Sequence, residues 1–199
     1  MNRKSIITAC LWLVVMTGCQ HSNEKPSEPP YMNWQLQAAA SQFSFLSTKN
    51  GDHTEEHTIR FDQGLIDQQG QLKLALDLTT VDTMIPIRDQ RMRDILFEVK
   101  DFPKAYISSQ LDEQMPLLKP FVVDFMLDLH GIRQSMSAQV LIQTVGDQLV
   151  VTNFEPVLVN GKDFGLDPAI NQLTKIAGLR SINYEVLVDF KLVFEKAAN

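Results

Sequence analysis

Along most of the chain, apolar and polar residues alternate one by one. Leu72, Leu74, Leu76 and Leu78 alternate with Gln71, Lys73, Ala75, Asp77 and Thr79. Phe121, Val123, Phe125, Leu127 and Leu129 alternate with Val122, Asp124, Met126, Asp128 and His130. The longest run is Ile182, Tyr184, Val186, Val188, Phe190, Leu192 and Phe194, and shorter ones are Phe43/Phe45, Ile59/Phe61 and Met136/Ala138/Val140/Ile142. Successive side chains of an extended backbone point to opposite faces, so period two predicts half-buried strands with one dry face. Asn50-Gly51, Gln69-Gly70, His130-Gly131 and Gly146-Asp147 separate these runs with residues that tolerate positive φ, the chemistry of tight hairpins. Consecutive antiparallel strands tend to curl and close, which removes exposed edges. The expected fold class is mainly β: an antiparallel barrel of about eight strands, whose interior either fills with side chains or holds one small ligand.

Two stretches depart from this rhythm. Met92, Ile95, Leu96 and Val99 fall at helical spacing between Arg88 and Val99, and Pro103 prevents continuation. A second short helix is predicted over 168–177, with Asp167 as N-cap, Pro168 at the first helical position and Gly178 as the stop.

The N-terminus reads differently. Arg3 and Lys4 precede an apolar run from Ile6 to Met16, too short for a bilayer span of about 20 residues but suited to a signal peptide. The run ends in Met16-Thr17-Gly18-Cys19, which resembles the lipobox of bacterial lipoproteins. That resemblance implies removal of residues 1–18 and acylation of Cys19 by fatty acids such as palmitate. The other reading is an ordinary secretory peptide that leaves Cys19 as a free thiol. Cys10 is the second of two cysteines and lies in the leader, so a lipidated mature chain has no disulfide and rests on its core alone. Multiple acyl chains would make the membrane anchor effectively permanent. Gln20, rather than Asp, after the cysteine implies the periplasmic side of the outer membrane. Residues 20–32 hold three Pro among polar residues and predict a disordered tether, reaching at most roughly 45 Å. Residues 33–199 are left as one domain.

Charge narrows the partners. With 18 basic and 24 acidic residues, losing Arg3 and Lys4 takes the net charge from −6 to about −8. No cluster of Lys and Arg tracks a phosphate backbone, so nucleic acid is not an expected partner. His53-Thr54-Glu55-Glu56-His57 matches an inverted zinc-protease motif. That motif requires a helix, and here it continues into a strand, where residues four apart are separated by roughly 13 Å. Exposed strand residues are the expected account; no metal or catalytic site is expected, and His130 reads as a turn residue. Arg88, Asp89, Arg91 and Arg93 read first as a solvated helix face with an Asp89–Arg93 pair. The alternative places Arg88 and Arg91 at the barrel mouth, against the polar head of an amphiphile.

Further patterns run in order along the chain: Trp34-x-Leu36, Ser41-x-Phe43-x-Phe45, Phe61-x-x-Gly64-x-Ile66-Asp67, Val81-Asp82-Thr83, and Arg88-Asp89-x-Arg91-Met92-Arg93. They continue with Leu96-Phe97, Phe102-Pro103-x-Ala105, Leu127-x-Leu129-x-Gly131 and Asp163-Phe164-Gly165-Leu166. Together they resemble the YceI-like polyisoprenoid-binding family. Ser47-Thr48-Lys49 stands where many members carry a histidine-containing strand, and Gly161-Lys162 where they carry Arg-Ser. The resemblance implies a lipocalin-like barrel around a hydrophobic tunnel, lined on its early strands by Phe43, Phe45, Leu74 and Leu76, with Phe97 at the helix. On the later strands it implies Phe121, Val123, Phe125 and Leu127, then Met136, Ala138, Val140 and Ile142, then Tyr184, Val186, Val188 and Phe190. The function it implies is non-catalytic binding or carriage of an isoprenoid-type lipid or quinone in the bacterial envelope, with no other cofactor. A barrel with a filled interior that docks another envelope protein is the other reading. Neither fixes the oligomeric state.

Overall fold

The computed structural model describes residues 33–112 and 115–197. The signal peptide expected over 1–18 and the lipidated Cys19 with its tether over 19–32 lie outside the described residues.

The strands are β1 (Trp34–Leu36), β2 (Gln42–Lys49), β3 (His53–Ile66), β4 (Gln71–Asp82), β5 (Lys104–Gln110), β6 (Phe121–Leu129), β7 (Ile132–Val145), β8 (Gln148–Asn153), β9 (Val157–Asn160) and β10 (Glu185–Lys196). β2 to β8 pair in sequence order, all antiparallel, and β10 closes the ring by pairing with both β2 and β8. Eight strands thus form a closed, lipocalin-like barrel. β1 and β9 are added at its seam: β1 pairs with β10 and β3, and β9 with β10.

The hairpin residues behave as their chemistry requires. Asn50 and Gly51 have φ of 54° and 90°, and His130 and Gly131 have 55° and 76°. Two consecutive left-handed residues twist the turn with the flanking strands.

One feature of β3 re-aims half a strand. Its buried residues are His57, Ile59 and Phe61, then Gly64 and Ile66. The parity changes because the register with β4 shifts between Phe61 and Gln63, a bulge that inserts one extra residue and turns the following side chains over. Gly64 then faces inward under β1. A Cβ there would stand 2.5 Å from Leu74 Cδ2 and 2.8 Å from Leu36 Cβ, so only glycine admits β1 at this distance.

The helix expected over 88–99 is replaced by two pieces. α1 (Pro86–Arg91) starts earlier, with proline in its first turn, and a π-helical turn (Met92–Leu96) follows. The Phe97 amide donates to the Met92 carbonyl at 2.9 Å. This wider turn brings Met92, Leu96 and Phe97 onto one face, which looks into the barrel. α2 (Asp167–Ile176) begins one residue before the expected start, with Asp167 inside its first turn rather than capping it. α2 and the π turn pack against each other across the end of the barrel that also carries the Asn50-Gly51 hairpin. The opposite end carries β1, the Gly146-Asp147 turn and the C-terminal end of β10.

Candidate functional site

The inward faces do not meet. They enclose a cavity of about 610 Å³. Phe43, Phe45, Leu74, Leu76 and Phe97 lie on its wall, as do Val123, Phe125, Leu127, Ala138, Val140 and Ile142. β10 contributes Val186, Val188 and Phe190, with Tyr184 just before it. Several of these, Val123 and Phe125 among them, are only half-buried although they pack against the core, because they also border the cavity.

Phe121 and Met136 are corrections. Both pack against the core, but neither lies on this wall. β6 pairs with β5 only around Met126–Asp128, so Phe121 sits where the two strands have separated. β7 pairs with β8 only from Val140 onward. Met136 therefore borders a second, polar groove shared with Gln134, Ser137 and Asn160.

α2 closes the helical end. Leu166, Ile170, Leu173 and Ala177 recur at i, i+4, i+7 and i+11 and all face the cavity, the stripe of an amphipathic helix. That spacing was available in the sequence as a signal for additional wall residues.

Polar groups reach the cavity mainly near this end. Lys49, Ser47 and His57 lie on adjacent strands and Arg88 comes from α1. Glu55 accepts hydrogen bonds from Lys49 and, at 2.6 Å, from Arg88 Nη1. Arg88 Nη2 donates to the Thr83 carbonyl at 2.5 Å. Thr83 is buried and gives its own N–H and hydroxyl to Asp89 Oδ1, at 2.7 and 2.5 Å. Val81-Asp82-Thr83 and Arg88-Asp89 thus form a latch that fixes α1 to the end of β4 and aims Arg88 inward.

Two expectations change here. Arg88 is not a solvated surface residue: it bridges α1 and β3 from the cavity wall, and Arg91 lines the same space. Asp89 holds Thr83 rather than serving as the surface partner of Arg93. His57 is also not an exposed strand residue, being 3 % exposed. It shares its face with Ile59 and Phe61 and meets the Phe45 ring edge-on at 5.4 Å. The period that placed Ile59 and Phe61 inward applies equally to His57.

Burial, reinforced by the charges of Arg88 and Lys49, lowers the His57 pKa to about 4, so the imidazole is neutral near neutral pH. Burial also lowers Lys49, with Arg88 adding to the effect. Among the described residues, His57 Nδ1 and Arg88 Nε are buried without a hydrogen-bond partner. His53, by contrast, is exposed at the start of β3, so the two histidines of the protease-like motif occupy different environments. His130 stays at its turn, its ring tilted against Phe102 at 4.2 Å between centroids and its Nε2 2.8 Å from Glu98.

Comparison with known proteins bears on the same residues. A family model described as a YceI-like domain matches residues 34–194. A polyisoprenoid-binding domain from Saccharophagus degradans, implicated in plant cell wall breakdown, is 32 % identical, with a TM-score of 0.76 over 83 % of this chain and 99 % of that one. BcnA from Burkholderia cenocepacia is 17 % identical, with a TM-score of 0.60 over 79 % of this chain and 98 % of its own. A Campylobacter jejuni YceI protein is 12 % identical, with a TM-score of 0.52 over 76 % and 85 %; these last two establish likeness of fold alone. No curated protein matches the chain.

Proposed function

Because this chain belongs to the YceI-like family, we propose that it binds a hydrophobic isoprenoid-type lipid or quinone non-catalytically and carries or sequesters it in the bacterial envelope. The observation that carries the reading is the cavity: about 610 Å³, walled by aliphatic and aromatic side chains, with its polar groups gathered toward one end. An apolar void costs on the order of 24 cal/mol per Å³. An apolar occupant removes that cost. The chain of such an amphiphile would lie along Phe43, Val123, Phe125 and Val188. Its head would meet Arg88, with Arg91 beside it, where His57 Nδ1 and Arg88 Nε have hydrogen-bonding capacity to spare. The kinship with a polyisoprenoid-binding domain supports the same ligand class.

The test is organic extraction of the purified protein followed by mass spectrometry. A long-chain lipid in stoichiometric amount is the expected result. An empty extract, together with no uptake of a fluorescent quinone analogue, would overturn the reading in favour of a barrel that docks a protein.

Lipid attachment at Cys19, and with it placement at the outer membrane facing the periplasm, belongs to the same proposal and is supported by Met16-Thr17-Gly18-Cys19 and Gln20. Cys19→Ser should abolish labelling by radioactive palmitate and release the protein from membranes. A mutant that labels and sediments like wild type sinks the anchor.

A further inference from the structure

We propose that the helical end of the barrel is a docking surface for an anionic lipid bilayer, through which the cavity exchanges its occupant. The proposal rests on the lipid-binding reading above and adds the place where the lipid crosses.

Two separate stretches bring apolar side chains to this end and leave them in solvent. Met84 is 84 % exposed and Ile87 54 %, with Ile85 between them also exposed. Ile176, at the end of α2, is exposed as well. Consecutive exposed apolar residues carry a solubility cost unless they have a use. Met84 is moreover held at φ 63°, a conformation that non-glycine residues seldom adopt. Its amide donates to Asp82 Oδ1 at 2.7 Å, which fixes the turn that presents the side chain.

Ile85, Ile87 and Ile176 also line the cavity. The same side chains are therefore rim and wall, giving an unbroken apolar path from solvent to interior. A lipid leaving the cavity here meets water unless the rim is already in contact with acyl chains.

Charge selects the occupant of the rim. In a chain of net charge −6, Arg91 lines the cavity beside Ile87, and Lys175 and Arg180 flank Ile176 on exposed positions. Asp82 and Asp89, the carboxylates of the Met84 stretch, are turned back into hydrogen bonds with Met84 and Thr83. Aliphatic side chains accompanied by Arg91, Lys175 and Arg180 suit the interface of an anionic bilayer. Protein hot spots are built on Trp, Tyr and Arg around a central aromatic anchor, and these rim residues supply arginine without an aromatic.

The contact is not a by-product of attachment at the N-terminus. Trp34 pairs with Lys196 and Ile66 at the opposite end of the barrel. An anchor upstream of it joins the barrel at that far end and so does not by itself present the rim to the membrane.

This opposition defines the experiment. The full chain is reconstituted into phosphatidylcholine vesicles with or without phosphatidylglycerol. An environment-sensitive fluorophore is placed on Met84→Cys or on Val145→Cys, the latter exposed at the far end; label on the unsubstituted chain is subtracted. The expected result is a blue shift and quenching by lipid-borne nitroxide at position 84 in phosphatidylglycerol vesicles, weakened by high salt, while position 145 stays wet. Met84→Asp with Lys175→Glu, neither of them on the cavity wall, should slow transfer of a fluorescent quinone between vesicles without reducing the amount bound at equilibrium. A wet position 84 in both vesicle types overturns docking, as does protection that appears only in native envelopes, which would assign the rim to a protein. Solvent extraction of the same samples separates the two ideas: bound lipid with a wet rim removes the docking surface and leaves lipid binding intact.

Discussion

His57 makes the most quantitative demand on the structure. Its imidazole is 3 % exposed, and its pKa falls from 6.5 to about 4 through burial first and then the charges of Arg88 and Lys49. In the unfolded chain the ring takes a proton as pH drops through 6.5; in the native protein it does so only near 4. Between these values the unfolded state binds more protons, so stability falls as pH is lowered across the window and the loss levels off below it. The gap corresponds to about 3 kcal/mol. Carboxylates titrate in the same region, so the useful quantity is a difference between proteins. Urea unfolding of wild type and His57→Gln at neutral pH and at about pH 4.5 should show wild type losing about 2–3 kcal/mol more than the variant. Equal losses would falsify the placement of His57 in a dry wall beside Arg88 and Lys49.

Four substitutions probe other parts of the barrel. Ala138→Phe directs a ring into the cavity from β7, so stability of the ligand-free protein should change by less than the roughly 1–3 kcal/mol of an overpacked core. Uptake of a fluorescent quinone should weaken at the same time, and a large drop in melting temperature with uptake unchanged would contradict the cavity. Gly64→Ala places a methyl against Leu74 and Leu36 and should cost about 1–3 kcal/mol in thermal or chemical unfolding; a neutral result would show that β1 does not press on β3. Phe125→Asp puts a charge on the apolar wall and should destabilise by several kcal/mol, whereas Asp124→Lys on the exposed neighbour should stay within about 0.5 kcal/mol. Matching melts for these two would reverse the facing of β6.

Most of the barrel was legible because alternation is a local property. Leu72 to Leu78, Phe121 to Leu129 and Val186 to Phe194 each declare two faces without reference to the rest of the chain, and hairpins such as Asn50-Gly51 declare their own antiparallel partners. The closure by β10 is a different matter. Its pairings with β2 and β8 join residues as far apart as Lys191 and Gln42, and only the general instability of open edges pointed to it. The π turn was illegible for a related reason. Met92, Ile95, Leu96 and Val99 satisfy helical spacing, and nothing in that spacing records that the cavity favours Met92, Leu96 and Phe97 on one face.

The polar end of the cavity shows where reading by residue type fails. His57 was legible, since a strand that turns Ile59 and Phe61 inward must turn His57 inward too; its polarity argued for solvent, and the neighbouring faces of Phe45 and Ile59 overrode that preference. Arg88 was not legible in the same way. Its direction depends on Glu55, a partner 33 residues away, and on Thr83, whose buried hydroxyl holds Asp89 and so sets the rotation of α1. An arginine on a short amphipathic helix has no local mark that separates a solvated face from a cavity wall. The mark is distributed over Thr83, Asp89 and Glu55, which acquire their meaning only when β3, β4 and α1 meet. Family-like patterns at Val81-Asp82-Thr83 and Arg88-Asp89 carried that information as a motif before the latch explained it: the hydroxyl, the carboxylate and the guanidinium together aim one cation at the chamber the strands enclose.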